Sequence, residues 1–237
     1  MGKALLIIFF FGLTGCFFSG NRIKGNGEAT SEVRKPGTFK NVALHGSFQV
    51  AVRPGATHEV EVHADQNIIR HIETRIEGDD LVIDTKDRTW LSPRTRIRIV
   101  VTAPNLTGLQ VSGSGDINSS LALQSGSGVE VGVSGSGSVH APIDAPVTEV
   151  SVSGSGDVKL RGQTRDLNAS VTGSGDVHCF ELASEATTLS LTGSGDAEVY
   201  ASKRLDVSLV GSGDVRYKGK PAITKNKTGS GSISGTD

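Results

Sequence analysis

The sequence predicts an all-β protein: a single-stranded, right-handed parallel β-helix (β-solenoid) with coils of about 18–20 residues and a less regular N-terminal part. Two observations predict this fold. A glycine-rich heptapeptide, for example VTGSGDV at 171–177, recurs along the chain, and the residues around each copy alternate between apolar and polar. Glycine accounts for 31 of 237 residues, roughly twice the usual share, as expected where a fold repeatedly requires glycine backbone geometry.

The first glycine of each full copy marks the period of the repeat. These glycines are Gly113, Gly135, Gly154, Gly173, Gly193, Gly211 and Gly229, spaced by 22, 19, 19, 20, 18 and 18 residues. A partial copy lies at Gly126. A near-constant period of this length is typical of stacked coils, whereas a flexible Gly–Ser linker has no reason to keep one.

Each repeat alternates with a period of two. In 166–180, the apolar residues Leu167, Ala169 and Val171 alternate with polar ones, and Val177 keeps the same parity beyond the glycines. This pattern predicts a strand rather than a helix. No repeat can bury its apolar row alone, so stacking in parallel, at roughly 4.8 Å per coil, is expected to bury a continuous apolar column.

The GSGD segment is predicted to form the corner of each coil. Parity places Gly173 and Gly175 inward and Thr172, Ser174 and Asp176 outward. Glycine there lets the backbone bend or approach the next coil closely, while Ser and Asp bond to local backbone groups. Right-handed winding is expected because that hand dominates connections between parallel strands.

The domain is predicted to span 38–237, with regular GSGD coils over 105–237 and a less regular start over 38–104. Within that start, 39–52 and 58–64 read as alternating strands. Residues 38–104 are either early coils of the same solenoid or a cap on its open end, since a bare terminal coil exposes strand edges.

The N-terminus predicts a lipoprotein signal peptide over 1–15. Lys3 precedes a short apolar run at 4–12, too short to span a bilayer. The next four residues, 13–16 (LTGC), resemble the lipobox of bacterial lipoproteins, which implies cleavage before Cys16 and lipidation of that cysteine. An ordinary secretory signal with an incidental cysteine is the alternative.

Residues 16–37 are predicted to be a flexible tether, because they show no periodicity and are rich in Gly, Asn, Ser and charges. The predicted location is therefore the bacterial cell envelope, with the membrane as a partner through the N-terminal lipid. Phe17 after the lipidated cysteine resembles outer-membrane sorting signals. The sequence leaves both a periplasmic and a surface-facing orientation open.

The repeats and the N-terminal pattern together resemble the "putative auto-transporter adhesin, head GIN domain" family. The resemblance rests on the tandem GSGD copies and on FKNVALHGSFQVAVRPG at 39–55 with the strands that follow it, and it covers about 39–235. It implies a β-helical fold and an envelope or secreted location. The family carries no established catalytic residues and no assigned function, so it implies none here.

Composition disfavours several function classes. The net charge is −1, which gives no bulk field for nucleic acid, and aromatic residues make up only 5% of the chain. The serines lie in GSG corners outside the strand–turn–helix context of a nucleophile elbow, and no Gly-Lys-Ser/Thr follows the glycines as in a phosphate-binding loop. We therefore expect no cofactor, and a lone Cys179 that is a buried, inert thiol.

The outward aspartates are weak candidates for a metal site. Asp157, Asp176, Asp196 and Asp214 are expected to stack with Asp116 into a row, and a divalent cation would relieve their repulsion. The alternative is that each Asp bonds into its own turn. One Asp per coil is too sparse for the cage of known calcium-binding solenoids, so no metal is predicted.

Arg94, Arg96 and Arg98 form a basic face that is a candidate for an anionic glycan or lipid phosphate. The alternative is cross-strand pairing with Glu59 and Glu61, which would only support the sheet. A neighbouring set, Glu61, His63 and Asp65, shares one predicted outward face, but spacing of about 7 Å along a strand is wide for ligands of a single metal.

The function predicted from the sequence is a non-enzymatic envelope lipoprotein whose solenoid surface binds a glycan or envelope protein, or acts as a scaffold. This predicted function includes an adhesin-like role. The alternative is an enzyme acting on polysaccharide, because long solenoids can assemble paired carboxylates from different coils in a surface groove.

Overall fold

The structure is a computed structural model that describes residues 22–86 and 89–236. The predicted signal peptide 1–15 and the lipidation site Cys16 lie outside the described residues. Within the described part, no helix has the length and apolar character needed to cross a membrane.

The described residues form strands joined by short turns, with one 3₁₀ turn at Ile69–His71. The strands of the first part are β1 Arg22–Lys24, β2 Ala29–Arg34, β3 Asn41–Gly46, β4 Gln49–Pro54, β5 Glu59–Asp65, β6 Ile72–Glu77, β7 Asp80–Thr85, β8 Trp90–Ser92 and β9 Arg98–Ala103. Those of the repeat region are β10 Gly108–Gly113, β11 Asp116–Ser119, β12 Leu123–Gln124, β13 Val129–Gly135, β14 Ser138–Gly154, β15 Asp157–Gly173, β16 Asp176–Ala183, β17 Ala186–Gly193, β18 Ala197–Tyr200, β19 Arg204–Gly211, β20 Val215–Lys218, β21 Ala222–Thr228 and β22 Ile233–Gly235.

The strands stack in parallel into a β-solenoid of about seven turns, which confirms the predicted fold class. One column, the first stack, runs through β3, β10, β13, residues 148–154, residues 166–173, β17, β19 and β21. The other, the second stack, runs through β4, β11, residues 138–144, residues 157–163, β16, β18, β20 and β22. The long strands β14 and β15 contribute to both stacks.

The register keeps equivalent residues of the repeat on top of one another. The apolar residues before the glycines form one buried column, each at most 3% exposed: Val111, Val133, Val152, Val171, Leu191 and Leu209. Each such side chain stabilises the fold by about 1.5–3 kcal/mol relative to an exposed one. The column is the core that the alternating pattern predicts.

The GSGD segment forms the corner between the stacks, and its geometry explains why the letters recur. Gly175 is buried, and a Cβ at that position would meet the carbonyl oxygen of Gly156 in the preceding coil. Gly173 has a φ of 122°, which favours glycine. Ser174 donates its backbone N–H to the Gly154 carbonyl oxygen at 2.8 Å. The close approach of consecutive backbones at the corner therefore leaves no room for a side chain at Gly173 or Gly175.

The N-terminal part is both a coil and a cap. β3 and β4 lie in register with β10 and β11 and form a first coil. Beyond them, β5 pairs antiparallel with both β2 and β9, and β6 pairs antiparallel with β7. These antiparallel strands cover the end of the solenoid, where a bare parallel coil would leave open edges.

The flexible tether predicted over 16–37 is wrong for part of its length. Within it, β1 pairs with β8 and β2 pairs with β5. The Arg34 guanidinium also donates to the carbonyl oxygens of Ile72 at 2.6 Å and Ile69 at 2.9 Å. Order here comes from contacts with distant strands, so the local sequence shows no periodicity that would reveal it.

The C-terminal end is closed by charged residues in core positions. Lys225 and Lys227 lie in register with the buried Val207 and Leu209 of the preceding coil. Their ammonium groups donate to the carbonyl oxygens of Ile233 at 3.2 Å and Gly231 at 2.9 Å. Charged side chains directed inward at a terminal coil disfavour the addition of another strand.

Candidate functional site

A pocket of about 470 Å³ lies beside the first coil, where β8 and the segment before β9 meet the corner between β3 and β4. It is lined by Gly46, Ser47, Phe48, Gln49, Thr85, Thr89, Trp90, Leu91, Pro93, Arg96 and Ile97. We refer to this as the Trp90 pocket. Its lining combines two aromatic rings, one guanidinium, one amide and several hydroxyl groups.

Trp90 is the most unusual residue of the pocket, because 67% of it is exposed. It lies in β8, whose backbone pairs in parallel with β1 and places Trp90 opposite Arg22. Arg22 also donates from Nη2 to Ser92 Oγ at 3.1 Å. A large aromatic side chain held by an ordered strand yet left in solvent is typical of a binding surface rather than of a core.

The floor of the pocket is the corner HGSF of the first coil, residues 45–48. Gly46 lies in register with Gly113 and has a φ of 109°, so this corner is the counterpart of the later GSGD corners. Phe48 is 4% exposed and stands where the later corners carry a glycine. The replacement fills the interior of the first coil and leaves Gln49 beside the pocket.

Asp65 organises the segment that carries Arg96. Its carboxylate is fully buried and accepts backbone N–H bonds from Arg94 at 2.7 Å, Thr95 at 3.3 Å and Gly27 at 3.0 Å. Burial raises the pKa of the Asp65 carboxyl, but these donors outweigh it and hold the pKa below its ordinary value. Asp65 therefore joins residues before β2 to the wall of the Trp90 pocket.

Sequence reasoning misassigned Asp65 by placing it on an outward face with Glu61 and His63. Glu61 and His63 are half-buried and contact each other, with His63 Nε2 3.0 Å from Glu61 Oε1, whereas Asp65 at the end of β5 is buried. Strand alternation ends where the strand ends. In the sequence, only the turn after β5 could have indicated that Asp65 leaves the outward face. No periodicity marks that turn.

The three predicted arginines are all exposed and alternate with less exposed neighbours. Only Arg98 lies in a strand, where it is in register with Gln49 and His63. The alternative pairing with Glu59 and Glu61 is not formed, because these two residues lie opposite Thr102 and Val100. No described residue forms an ion pair with Arg94, Arg96 or Arg98, and Arg96 lines the Trp90 pocket.

The aspartate row is used for hydrogen bonding between coils. Asp176 accepts the backbone N–H of Asp196 at 2.7 Å, and Asp196 accepts that of Asp214 at 2.8 Å. Asp214 accepts both the hydroxyl and the N–H of Ser232, which lowers the pKa of its carboxyl. Asp157 lies in register between Ser138 and Asp176. Among the described residues, no group of three or more His, Cys, Asp or Glu side chains is placed to hold a metal ion.

Cys179 is fully buried in the second stack, and burial raises the pKa of its thiol to about 12. A thiol with so little thiolate near neutral pH is a poor nucleophile and a poor metal ligand. The residue therefore belongs to the apolar core.

The outward side of the first stack presents rows of small hydroxyl residues. Ser151, Ser170, Ser190 and Ser208 are in register across four consecutive coils. Beside them, Glu130 and Glu149 lie in register in adjacent coils and line a shallow pocket of about 350 Å³. Asn168 donates to Glu149 Oε1 at 2.7 Å.

Comparison with known protein families identifies the family of this chain. The family described as "Putative auto-transporter adhesin, head GIN domain" matches residues 38–221. The chain belongs to this family. The predicted resemblance is thereby confirmed, and the match covers the first coil, the Trp90 pocket and most of the regular coils. No curated protein matches the chain.

Several solved structures share the fold. A putative adhesin from Bacteroides fragilis has a TM-score of 0.84 at 22% identity, with 90% of this chain and all of that chain covered. A putative lipid binding protein from Parabacteroides distasonis has a TM-score of 0.74 at 26% identity, covering 92% of this chain and all of its own. A putative adhesin from the same species has a TM-score of 0.68 at 24% identity, with 91% and 100% covered.

Proposed function

We propose that this protein is a lipid-anchored lipoprotein of the bacterial cell envelope whose solenoid binds an acidic glycan at the Trp90 pocket, in an adhesin-like and non-enzymatic role. The exposed Trp90 carries the proposal, because it lies in one pocket with Arg96, which forms no ion pair with any residue that the structure describes. Two comparisons support the proposal. The chain belongs to a family whose description includes an adhesin, and its fold is similar to that of solved proteins described as adhesins.

The chemistry of the pocket suits a sugar that carries an acid group. The indole face offers an apolar surface to the C–H side of a sugar ring. The Arg96 guanidinium matches a carboxylate, sulfate or phosphate through two parallel N–H bonds. Gln49 and Thr85 supply the amide and hydroxyl groups that hydrogen-bond to sugar hydroxyls. The floor of the pocket is the first coil, and Asp65 accepts hydrogen bonds from the backbone of the segment that carries Arg96.

Binding is tested with an array of acidic and neutral oligosaccharides, followed by titration calorimetry on those that bind. We expect Trp90→Ala and Arg96→Gln each to weaken an acidic ligand at least about tenfold, a loss of about 1.4 kcal/mol. Arg204→Gln is the matched control, since Arg204 is equally exposed but lies far along the chain in β19. Retention of full affinity in both pocket variants would refute the site.

The membrane anchor is tested separately. Cys16→Ser should abolish incorporation of a labelled fatty acid and release the protein from the membrane fraction. Protease treatment of intact cells then decides the orientation. Digestion on intact cells fits adhesion or binding of an external glycan, whereas protection until lysis refutes adhesion and leaves a periplasmic binding or scaffold role.

An enzyme acting on polysaccharide remains the second candidate, because of the Glu130–Glu149 pair on the first stack. Adjacent in-register coils separate their backbones by about 4.8 Å, which is compatible with the closely spaced carboxylates of a retaining glycosidase. Release of reducing ends from a polysaccharide by the wild-type protein, lost in Glu149→Gln, would establish this activity. The Trp90 pocket would then serve substrate binding at most.

A further inference from the structure

Two cationic side chains, Lys159 and Arg161, and the imidazole of His140 meet on the outward side of the second stack, well away in sequence from the Trp90 pocket. His140 lies in β14, and Lys159 and Arg161 lie in β15. All three are exposed and line one pocket of about 260 Å³, together with Ser119, Ala141 and Glu181. We call His140, Lys159 and Arg161 the cationic cluster.

The backbone register fixes the geometry of the cationic cluster. His140 lies directly opposite Lys159 in the next coil, so their backbones are about 4.8 Å apart. Arg161 follows two residues after Lys159 on the same face, at a spacing of about 7 Å along the strand. Because both strands are paired on either side, the backbone positions of these three residues are fixed relative to one another.

The cationic cluster lacks the neutralising partners that cations have further along the same stack. There, Glu198 Oε2 lies 2.9 Å from His178 Nδ1, and Glu198 Oε1 lies 2.8 Å from Arg216 Nη2. By contrast, no described residue forms a hydrogen bond, ion pair or ring contact with the side chains of the cationic cluster. Glu181 is in register with Arg161 and lines the same pocket, yet no ion pair forms between them.

The surface continues from the cationic cluster toward the C-terminal coils. A second pocket of about 420 Å³ shares His140 and Lys159 and adds the half-buried ring of Phe180. The two pockets share His140, Lys159 and Glu181, and the second is also bordered by the carboxylates of Asp157 and Glu198. A ligand that places an anionic group at the cationic cluster and neutral hydrogen-bonding groups beside these carboxylates, as a glycan can, fits this surface better than a single small ion does.

We propose that the cationic cluster is a second binding site, distinct from the Trp90 pocket, for the sulfate or phosphate monoester groups of a glycan. Lys159 supplies a point charge, and Arg161 supplies a planar fork that matches two ester oxygens. His140 donates from its ring N–H to the same group. The Glu181 carboxylate repels a bound anion and thereby lowers the affinity of the site for it. The positions of Lys159 and Arg161 then make the site discriminate among anions by geometry as well as by charge.

The test is titration calorimetry of the purified protein with a heparin octasaccharide at low salt, where exposed charges are least screened. We expect binding by the wild type and a loss of at least about tenfold in Lys159→Gln/Arg161→Gln. The charge-preserving variant Lys159→Arg/Arg161→Lys should keep affinity within about fivefold, and Glu181→Gln should bind more tightly. The same comparison is made in a Trp90→Ala/Arg96→Gln background, which removes the Trp90 pocket as an acceptor for this acidic ligand. Binding that persists in that background and is lost when Lys159→Gln/Arg161→Gln is added separates this site from the proposed function.

The matched control is Lys203→Gln/Arg204→Gln, which removes the same two charges from exposed residues that are paired with Glu185 and Asp206. Equal loss in this control would overturn the proposal in favour of non-specific attraction. Failure of the wild type to bind the octasaccharide would also overturn it. Binding to anionic phosphatidylglycerol vesicles without binding to the octasaccharide would overturn it too, because the anionic group that is recognised would then belong to a lipid surface. Inorganic phosphate should compete only weakly.

Discussion

The regular coils and the N-terminal part solve the same packing problem in different ways. In the regular coils the corners from Gly113 to Gly211 repeat one solution, with an apolar residue before the corner, glycines in it, and an aspartate or serine after it. In the N-terminal part, antiparallel pairs formed by β2, β5 and β6 are added to the parallel ones, and individual residues such as Asp65 and Arg34 hold the chain. Repetition stabilises the solenoid, whereas interruption of the repeat in the N-terminal part creates surfaces that differ from those of the regular coils.

This difference explains where the Trp90 pocket lies. A residue in a regular coil must fit the coil above and the coil below, so the outward rows of the first stack consist largely of small hydroxyl residues. On its other side the first coil borders β7 and β9, which pair with β3 and β4 in parallel but are connected through β8 and Trp90 instead of a GSGD corner. It can therefore replace a corner glycine by Phe48 and present Trp90 beside it. The cationic cluster is the exception, a charged site built within the repeats.

The largest effect is expected from filling a corner of a regular coil. In Gly175→Val, the new side chain would meet the Gly156 carbonyl oxygen and the Val152 side chain, which we expect to lower the free energy of unfolding by about 3 kcal/mol or more. Urea denaturation measures it.

The matched control for this substitution is Gly126→Ala. A Cβ at Gly126 would have no atom within 4 Å, so we expect a change within about 0.5 kcal/mol. Equal destabilisation by both substitutions would contradict the role assigned to the corners.

Cys179 reports whether the regular coils open independently of the N-terminal part. Because burial raises its thiol pKa to about 12, we expect labelling by a maleimide at pH 7.5 to be at least about a hundredfold slower in the folded protein than in urea. Fast labelling under native conditions would show that the coils around β16 open locally.

A smaller effect, confined to the N-terminal part, is expected from Asp65→Asn. The folded pKa of Asp65 is lowered, so its contribution to stability is present above the unfolded pKa of about 3.9 and is lost as the pH falls from there through the lowered folded value. We expect the variant to expose 25–34 to hydrogen exchange at neutral pH.

The pH dependence provides the contrast for this prediction. In the wild type, the protection factor of the same segment, which corrects for the lower intrinsic exchange rate at acidic pH, should decrease below about pH 4, whereas in Asp65→Asn it should be low throughout. Protection of 25–34 that is the same in both proteins would contradict the anchoring role. The Cys179 labelling rate should stay unchanged in the variant.

The smallest effect is expected on the outward side of the first stack. Ser170→Ala removes one hydroxyl from an exposed row, and we expect the free energy of unfolding to change by less than about 0.5 kcal/mol. A loss above 1 kcal/mol in thermal or urea denaturation would show that the hydroxyl row stabilises the rod. In that case the distinction between structural corners and tolerant outward faces would need revision.

The sequence by itself determined the solenoid, its period, the inward parity of Val171 and Gly175, and the inert burial of Cys179. These follow from short-range alternation and from steric limits at the corner, both of which repeat and are therefore visible in the letters. Arg96 was also identified as a candidate from the spacing of three arginines.

Only the tertiary structure decided that β1 and β2 are ordered, that Asp65 is buried, and that Trp90 stands in a pocket with Arg96. It alone placed His140 beside Lys159 and Arg161, from positions about twenty residues apart. Each of these depends on contacts between segments that are distant in sequence and occur once. A single contact leaves no periodic trace, because its partner can be identified only after the backbone has brought the two segments together.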